Sequence, residues 1–180
     1  MKKIETPVKD LYIIEPEVYS DERGYFYEPF NADKFKKIGI HNEFRQASQS
    51  FSRQGVLRGF HFQKSPKPMA KLVRCSSGRL WDVAVDLRSD SPTYRKWFGL
   101  ELSQDNHKML FIPAGFGHGF YALTDCVLNY LNSNTFDGTL DAGIAWDDPS
   151  IDVKWPLTAS PSLSQKDQTL PLLKDIDLVW

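Results

Sequence analysis

LWDVAVDL, residues Leu80 to Leu87, repeats with a period of two: Trp81, Val83, Val85 and Leu87 fall on one face, Asp82 and Asp86 on the other. A strand has that period, because its successive side chains point to opposite sides of the sheet. Working outward, Phe98, Leu100 and Leu102 alternate again, and Met109 to Ile112 is a short apolar run closed by Pro113. His118 to Leu123 and Val127 to Leu131 follow, and Val56 to Phe62 and Lys71 to Cys75 precede. Ser77-Gly78, Asp90-Ser91-Pro92, Gln104-Asp105-Asn106 and Pro113-Ala114-Gly115 supply turns between them. Strand signals thus dominate from Phe44 to Thr135, and short strands at even spacing predict an all-β sandwich or barrel. One early segment, Asn31 to Ile40, reads as a helix, with Asn31 as N-cap and Phe35 and Ile38 as its apolar face. From Asp147 onward Pro, Ser and Asp accumulate, predicting loops with short helical turns. No repeat or linker divides residues 1–180, so a single domain is expected.

The 180 residues are enough for a sizeable core. With 22 Lys+Arg against 23 Asp+Glu, the chain has no basic excess to track a nucleic-acid backbone. There is no long apolar run and no charged-then-apolar leader, which excludes a helical membrane span and predicts a cytoplasmic protein. Cys75 and Cys126 both sit in apolar strand patterns and read as buried thiols, and no Cys-x-x-Cys pair exists to build a thiolate zinc site.

Three residue types with acid–base capacity fall near strand ends. In Val56 to Phe62 the two-residue period puts Phe60 and Phe62 on one side and Gly59 and His61 on the other. His61 is either a half-buried, hydrogen-bonded histidine or a general base, since neutral imidazole accepts protons near neutral pH. A carboxylate on its second nitrogen would fix the tautomer; Asp167, in Ser164-Gln165-Lys166-Asp167, is the candidate, though spacing alone does not single it out. Lys71 is either a solvated strand-end charge or, in a pocket, a cation for a developing enolate oxygen. Tyr130, between Asn129 and Leu131, is either a core tyrosine or a proton donor opposite His61. Together they suit proton abstraction beside a carbonyl, with no metal and no organic cofactor. His118, in PAGFGHGF from Pro113 to Phe120, gives a second inward histidine, but no His-x-His motif accompanies it, which argues against a metal site. Arg23 and Arg58 are candidates for diphosphate binding, because a guanidinium fork matches phosphate oxygens.

Eight separated motifs occur in order: DERGYF at Asp21 to Phe26, GVLRGFHFQ at Gly55 to Gln63, KLVR at Lys71 to Arg74, DVAVDLR at Asp82 to Arg88, SPTYRKW at Ser91 to Trp97, IPAGFGHGF at Ile112 to Phe120, WDDP at Trp146 to Pro149 and SQKDQ at Ser164 to Gln168. With these the sequence resembles the dTDP-4-dehydrorhamnose 3,5-epimerase family, sugar-nucleotide epimerases, from about Ile14 to Gln168. The resemblance implies a cupin-like double-stranded β-helix (jelly roll) with short peripheral helices. It also implies a homodimer whose N-terminal strands cross to the partner, a nucleotide-sugar substrate, and neither metal nor nucleotide cofactor. His61 becomes the base, Asp167 its orienting partner, Lys71 the enolate stabiliser and Tyr130 the opposing acid. Arg23, Phe26, Glu28, Gln46, Arg58, His118 and Lys166 fall on substrate-contacting positions.

The chain departs from that pattern at several places. Tyr130-Leu131 stands for tyrosine-lysine, and Thr135-Phe136 for a tyrosine pair whose second ring stacks on the nucleotide base. Asp141-Ala142-Gly143 stands for Glu-Arg-Gly, and Ser48 for an asparagine. Ser48, Phe136 and Asp141 therefore join the expected substrate contacts. The reading is an epimerase inverting C3 and/or C5 of a nucleotide-linked 4-keto-6-deoxyhexose. Its alternatives are a single-centre epimerase or ketoisomerase on another sugar nucleotide, such as a CDP-linked one, and a non-catalytic sugar-nucleotide-binding protein.

Overall fold

The computed structural model describes residues 1–178 and 180. Four short N-terminal strands come first: β1 (Lys2–Glu5), β2 (Tyr12–Glu15), β3 (Val18–Asp21) and β4 (Gly24–Tyr27). A helix, α1 (Ala32–Lys37), follows. Then come β5 (Gln46–Ser52), β6 (Leu57–Gln63), β7 (Lys71–Ser77), β8 (Arg79–Asp86), β9 (Trp97–Ser103), β10 (Met109–Ile112), β11 (Phe116–Ala122), β12 (Cys126–Asn132) and β13 (Asp141–Gly143). The first sheet has the order β1-β2-β10-β7-β12-β5 and the second β13-β6-β11-β8-β9, while β3 and β4 form a separate hairpin. From β5 to β13 successive strands alternate between the two sheets, apart from the β8–β9 hairpin. That winding is a cupin-like jelly roll, as expected.

Between the sheets lies one apolar core, with Val73, Leu110 and Leu128 from the first sheet and Leu80, Ala84, Leu102 and Phe120 from the second. The alternation at Leu80 to Leu87 has a consequence the polar residues conceal. Asp82 and Asp86 are fully buried, so β8 has two buried faces rather than one wet one. Val83, Val85 and Leu87 pack outward under the C-terminal segment, against Ile144, Ile151 and Leu173. Asp82 shares the inward face with Leu80 and Ala84 and meets His118 there.

The helix forms where its N-cap predicts: the Asn31 side chain accepts from the Lys34 amide, and Phe35 is buried. It stops short of Ile40 because Gly39 turns to positive φ. Strands β1 to β4 carry no clear alternation in sequence; three of the four residues in Lys2–Glu5 are charged, and β4 exposes Tyr25 and Phe26. The tail holds two 3₁₀ turns, Asp167–Thr169 and Leu173–Asp175. Among the described residues no helix is long and apolar enough to cross a membrane.

Candidate active site

The β6 and β11 backbones touch through glycines. A Cβ on Gly59, at φ +124°, would lie 2.5 Å from the Gly119 Cα. This close approach sets His61 directly opposite His118 in register. Phe60 and Phe62 point outward into the apolar layer, and His61 points inward, as the period requires.

Between the open ends of the two sheets lies a cleft of about 440 Å³. His61 and Arg58 enter it from β6; Lys71 and Tyr130 enter from β7 and β12 of the opposing sheet. His61 Nε2 lies 2.6 Å from Asp167 Oδ1, 106 residues away along the chain. Asp167 Oδ2 accepts from the Ser164 hydroxyl at 2.7 Å. Burial opposes ionisation of Asp167, but the hydrogen bonds from His61 and Ser164 outweigh it and hold the carboxyl below its usual range. An ionised Asp167 can only accept, so Nε2 carries the proton and Nδ1 is left free as a base.

Burial lowers the Lys71 ammonium to about 8, against the opposing pull of Asp82 and Asp141. Its Nζ donates weakly to the His61 carbonyl, at 3.4 Å. Burial also pushes the Tyr130 hydroxyl up to about 12, so it is protonated at neutral pH; its partner is the Ser50 hydroxyl at 3.1 Å. Beneath them His118 Nε2 pairs with Asp82 Oδ1 at 2.8 Å, and burial keeps this imidazole's pKa down. Both histidines are thus committed to carboxylates. Among the described residues no group of three or more His, Cys, Asp or Glu comes together as a metal site.

Most of the sequence-derived substrate contacts converge. Gln46, Ser48, Phe136, Asp141 and Lys166 line the cleft. Lys166 is ion-paired with Asp141. Phe136 stands 60% exposed at the rim, so it is no core residue. Its loop is pinned by two glutamines: Gln46 Oε1 accepts from the Phe136 amide at 2.7 Å, and Gln63 Oε1 from the Asp137 amide at 2.8 Å. His118, buried on Asp82, lies beneath the cleft and outside its lining, and three others do not converge within one chain. Arg23 pairs with Asp21 on the exposed β3–β4 hairpin, Phe26 is 65% exposed there, and Glu28 pairs with Lys34 and Asn31 beside α1.

Sequence reasoning missed Asp82, Ser50 and Ser52 as site residues. The signal for the serines was present in QASQSFS, Gln46 to Ser52, where every second residue is polar and faces the cleft side while Ala47, Gln49 and Phe51 are exposed. Ser52 accepts from Arg58 Nε at 3.0 Å, anchoring that guanidinium. Asp82 gave no such signal, because its partner His118 is 36 residues distant.

A family model described as dTDP-4-dehydrorhamnose 3,5-epimerase matches residues 5–175. A protein of that name from Methanothermobacter thermautotrophicus is 48% identical over 96% of this chain and 94% of its own length. The crystal structure of the Elizabethkingia anophelis dTDP-4-dehydrorhamnose 3,5-epimerase superposes with a TM-score of 0.93 at 45% identity, covering 97% of both chains. The dTDP-6-deoxy-D-glucose-3,5-epimerase of Legionella pneumophila, solved with dTDP-4-keto-L-rhamnose, gives a TM-score of 0.95 at 40% identity, covering 99% of this chain and 97% of that one. The chain therefore belongs to the dTDP-4-dehydrorhamnose 3,5-epimerase family and is an isomerase of the carbohydrate-epimerase class.

Proposed function

We propose that the chain inverts C3 and C5 of a dTDP-linked 4-keto-6-deoxyhexose by removing a proton from one face of the ring and returning one to the other. The carrying observation is the His61–Asp167 pair, with His61 on one sheet and Asp167 behind it on a 3₁₀ turn, set across a single cleft from Tyr130 on the other sheet. The C4 ketone acidifies both neighbouring C–H bonds. His61 Nδ1 takes the proton, and Asp167 stabilises the imidazolium that forms. The Lys71 ammonium neutralises the enolate oxygen, and the Tyr130 hydroxyl supplies a proton from the opposite side. Arg58 and Lys166 offer cations to the diphosphate. The ligand in the Legionella structure supports the substrate class. The test is product NMR with dTDP-, CDP- and GDP-linked 4-keto-6-deoxyglucose. Inversion of both centres of the dTDP sugar is expected; inversion of one centre only, or preference for another nucleoside, would transfer the assignment to the alternative readings.

Phe136 is proposed as the platform for the base. Stacking contributes about 1–3 kcal/mol, by analogy with single-strand binders. Phe136→Ala should weaken nucleotide binding about tenfold or more with little change in melting temperature, because the ring is exposed. Unchanged affinity in a titration would remove Phe136 from the site.

Lys71 makes the reaction pH-dependent. Its lowered pKa, about 8, means that kcat/KM should fall as pH rises through that value, because the neutral amine no longer stabilises the enolate. Lys71→Arg should move that limb to higher pH. A limb that stays in place assigns it to another group.

The working unit is proposed to be a cytoplasmic homodimer in which the β3–β4 hairpin serves the partner's cleft. The support is that Arg23 and Phe26 lie outside the cleft of their own chain, on a hairpin that exposes Tyr19, Tyr25 and Phe26. Coexpressing Arg23→Ala with His61→Asn should restore activity that neither variant has alone, since one hybrid site keeps both residues. No recovery would place the hairpin outside the partner's site.

A further inference from the structure

The cleft side of β5 is polar along its whole length, and each residue on it is engaged. Gln46 holds the Phe136 amide and donates to Ser48, and Ser52 holds Arg58. Ser50 is the one whose hydroxyl meets the Tyr130 hydroxyl, at 3.1 Å. It stands on the strand next to Tyr130, two residues along from the direct Tyr130–Ser48 register and on the same face. Tyr130 has the His118 ring edge-on at 6.1 Å, and Tyr130 and Ser50 are both partly buried and both line the open cleft.

We propose that Ser50 is a positioning residue for the proton-donating step, fixing the Tyr130 hydroxyl toward the sugar and donating a hydrogen bond to the phenolate left behind. The inference rests on the assignment of Tyr130 as the donor. In that step the Tyr130 O–H bond breaks and a C–H bond forms at the sugar carbon. The electron pair of the O–H bond stays on the phenolate oxygen. Ser50 keeps its own proton. Water then reprotonates the phenolate and takes the proton that His61 removed, so each inversion is proton-neutral. Burial alone would make a phenolate at this depth expensive, and in the direction of its effect the Ser50 hydrogen bond opposes that burial. A hydrogen bond to a developing charge strengthens just when the charge forms, which is what a contribution to rate rather than to binding requires.

The experiment compares two rates in each variant: net inversion of the 4-keto sugar, and exchange of its C–H hydrogens with D₂O. Ser50→Ala should slow inversion about tenfold or more while exchange, which does not use the Tyr130 proton, changes little. Ser50→Thr keeps the hydroxyl and should recover most of the inversion. Adding Ser50→Ala to Tyr130→Phe should cost nothing further. A merely structural role would lower inversion and exchange in proportion, along with the melting temperature, and would overturn the proposal. If Tyr130→Phe loses inversion and Ser50→Ala does not, Ser50 alone is misassigned. If Tyr130→Phe inverts normally, the donor assignment fails and the proposal with it.

Discussion

His61→Asn should lower epimerisation by roughly a hundredfold to ten-thousandfold, the usual contribution of a positioned general base. The expectation follows from a single side chain. Nε2 is spent on Asp167 at 2.6 Å, which leaves Nδ1 as the group that can accept a proton in the cleft. Asparagine retains polarity at this half-exposed position and can still hydrogen-bond Asp167, so the fold and the nucleotide affinity should survive. Measured by deuterium wash-in at C3 and C5, exchange should fall as far as turnover does. Exchange at the wild-type rate in this variant would remove His61 from the base role and leave it a half-buried, hydrogen-bonded strand histidine.

Tyr130→Phe should have an effect of similar size on inversion, with a different signature. The ring fits, and the lost contact is the hydrogen bond to Ser50, worth about 1 kcal/mol of stability. Without the hydroxyl, His61 can still abstract a proton and return it to the same face. Wash-in should therefore persist after net inversion has dropped by roughly a hundredfold or more. The raised pKa, about 12, supports this assignment: at neutral pH the hydroxyl holds its proton and can give it but not take another. Loss of wash-in in parallel with inversion would instead make Tyr130 a participant in the abstraction step.

Most strands between Phe44 and Thr135 are legible because their apolar residues alternate or form short runs closed by turn residues. The hairpins before Tyr27 are not: Lys2–Glu5 and Val18–Asp21 bury little, and pairing rather than patterning makes them strands. The two aspartates of LWDVAVDL suggested a polar face, yet both are buried, each against its own partner: Asp82 against His118, and Asp86 against Arg88, Ser91 and Thr93. Strand period reports alternation between faces and is silent on whether either face meets water. In the site, His61, Lys71 and Tyr130 could be singled out by chemistry and strand position. Asp167 could be paired with His61 only by resemblance, since it reaches the dyad from a 3₁₀ turn in a tail with no strand pattern. Ser50 and Ser52 show their alternation once the cleft is known, but a polar strand face at a sheet edge ordinarily faces solvent.

The central claim is that inversion proceeds through exchangeable protons on carbons beside a ketone. The most direct test converts dTDP-4-keto-6-deoxyglucose with the unaltered protein in D₂O and reads C3 and C5 of the product by NMR and mass. Deuterium at each inverted centre is the expected result. Inversion with the original hydrogens retained at both carbons would contradict it, because the hydrogens would then have moved within the sugar rather than through His61 and Tyr130.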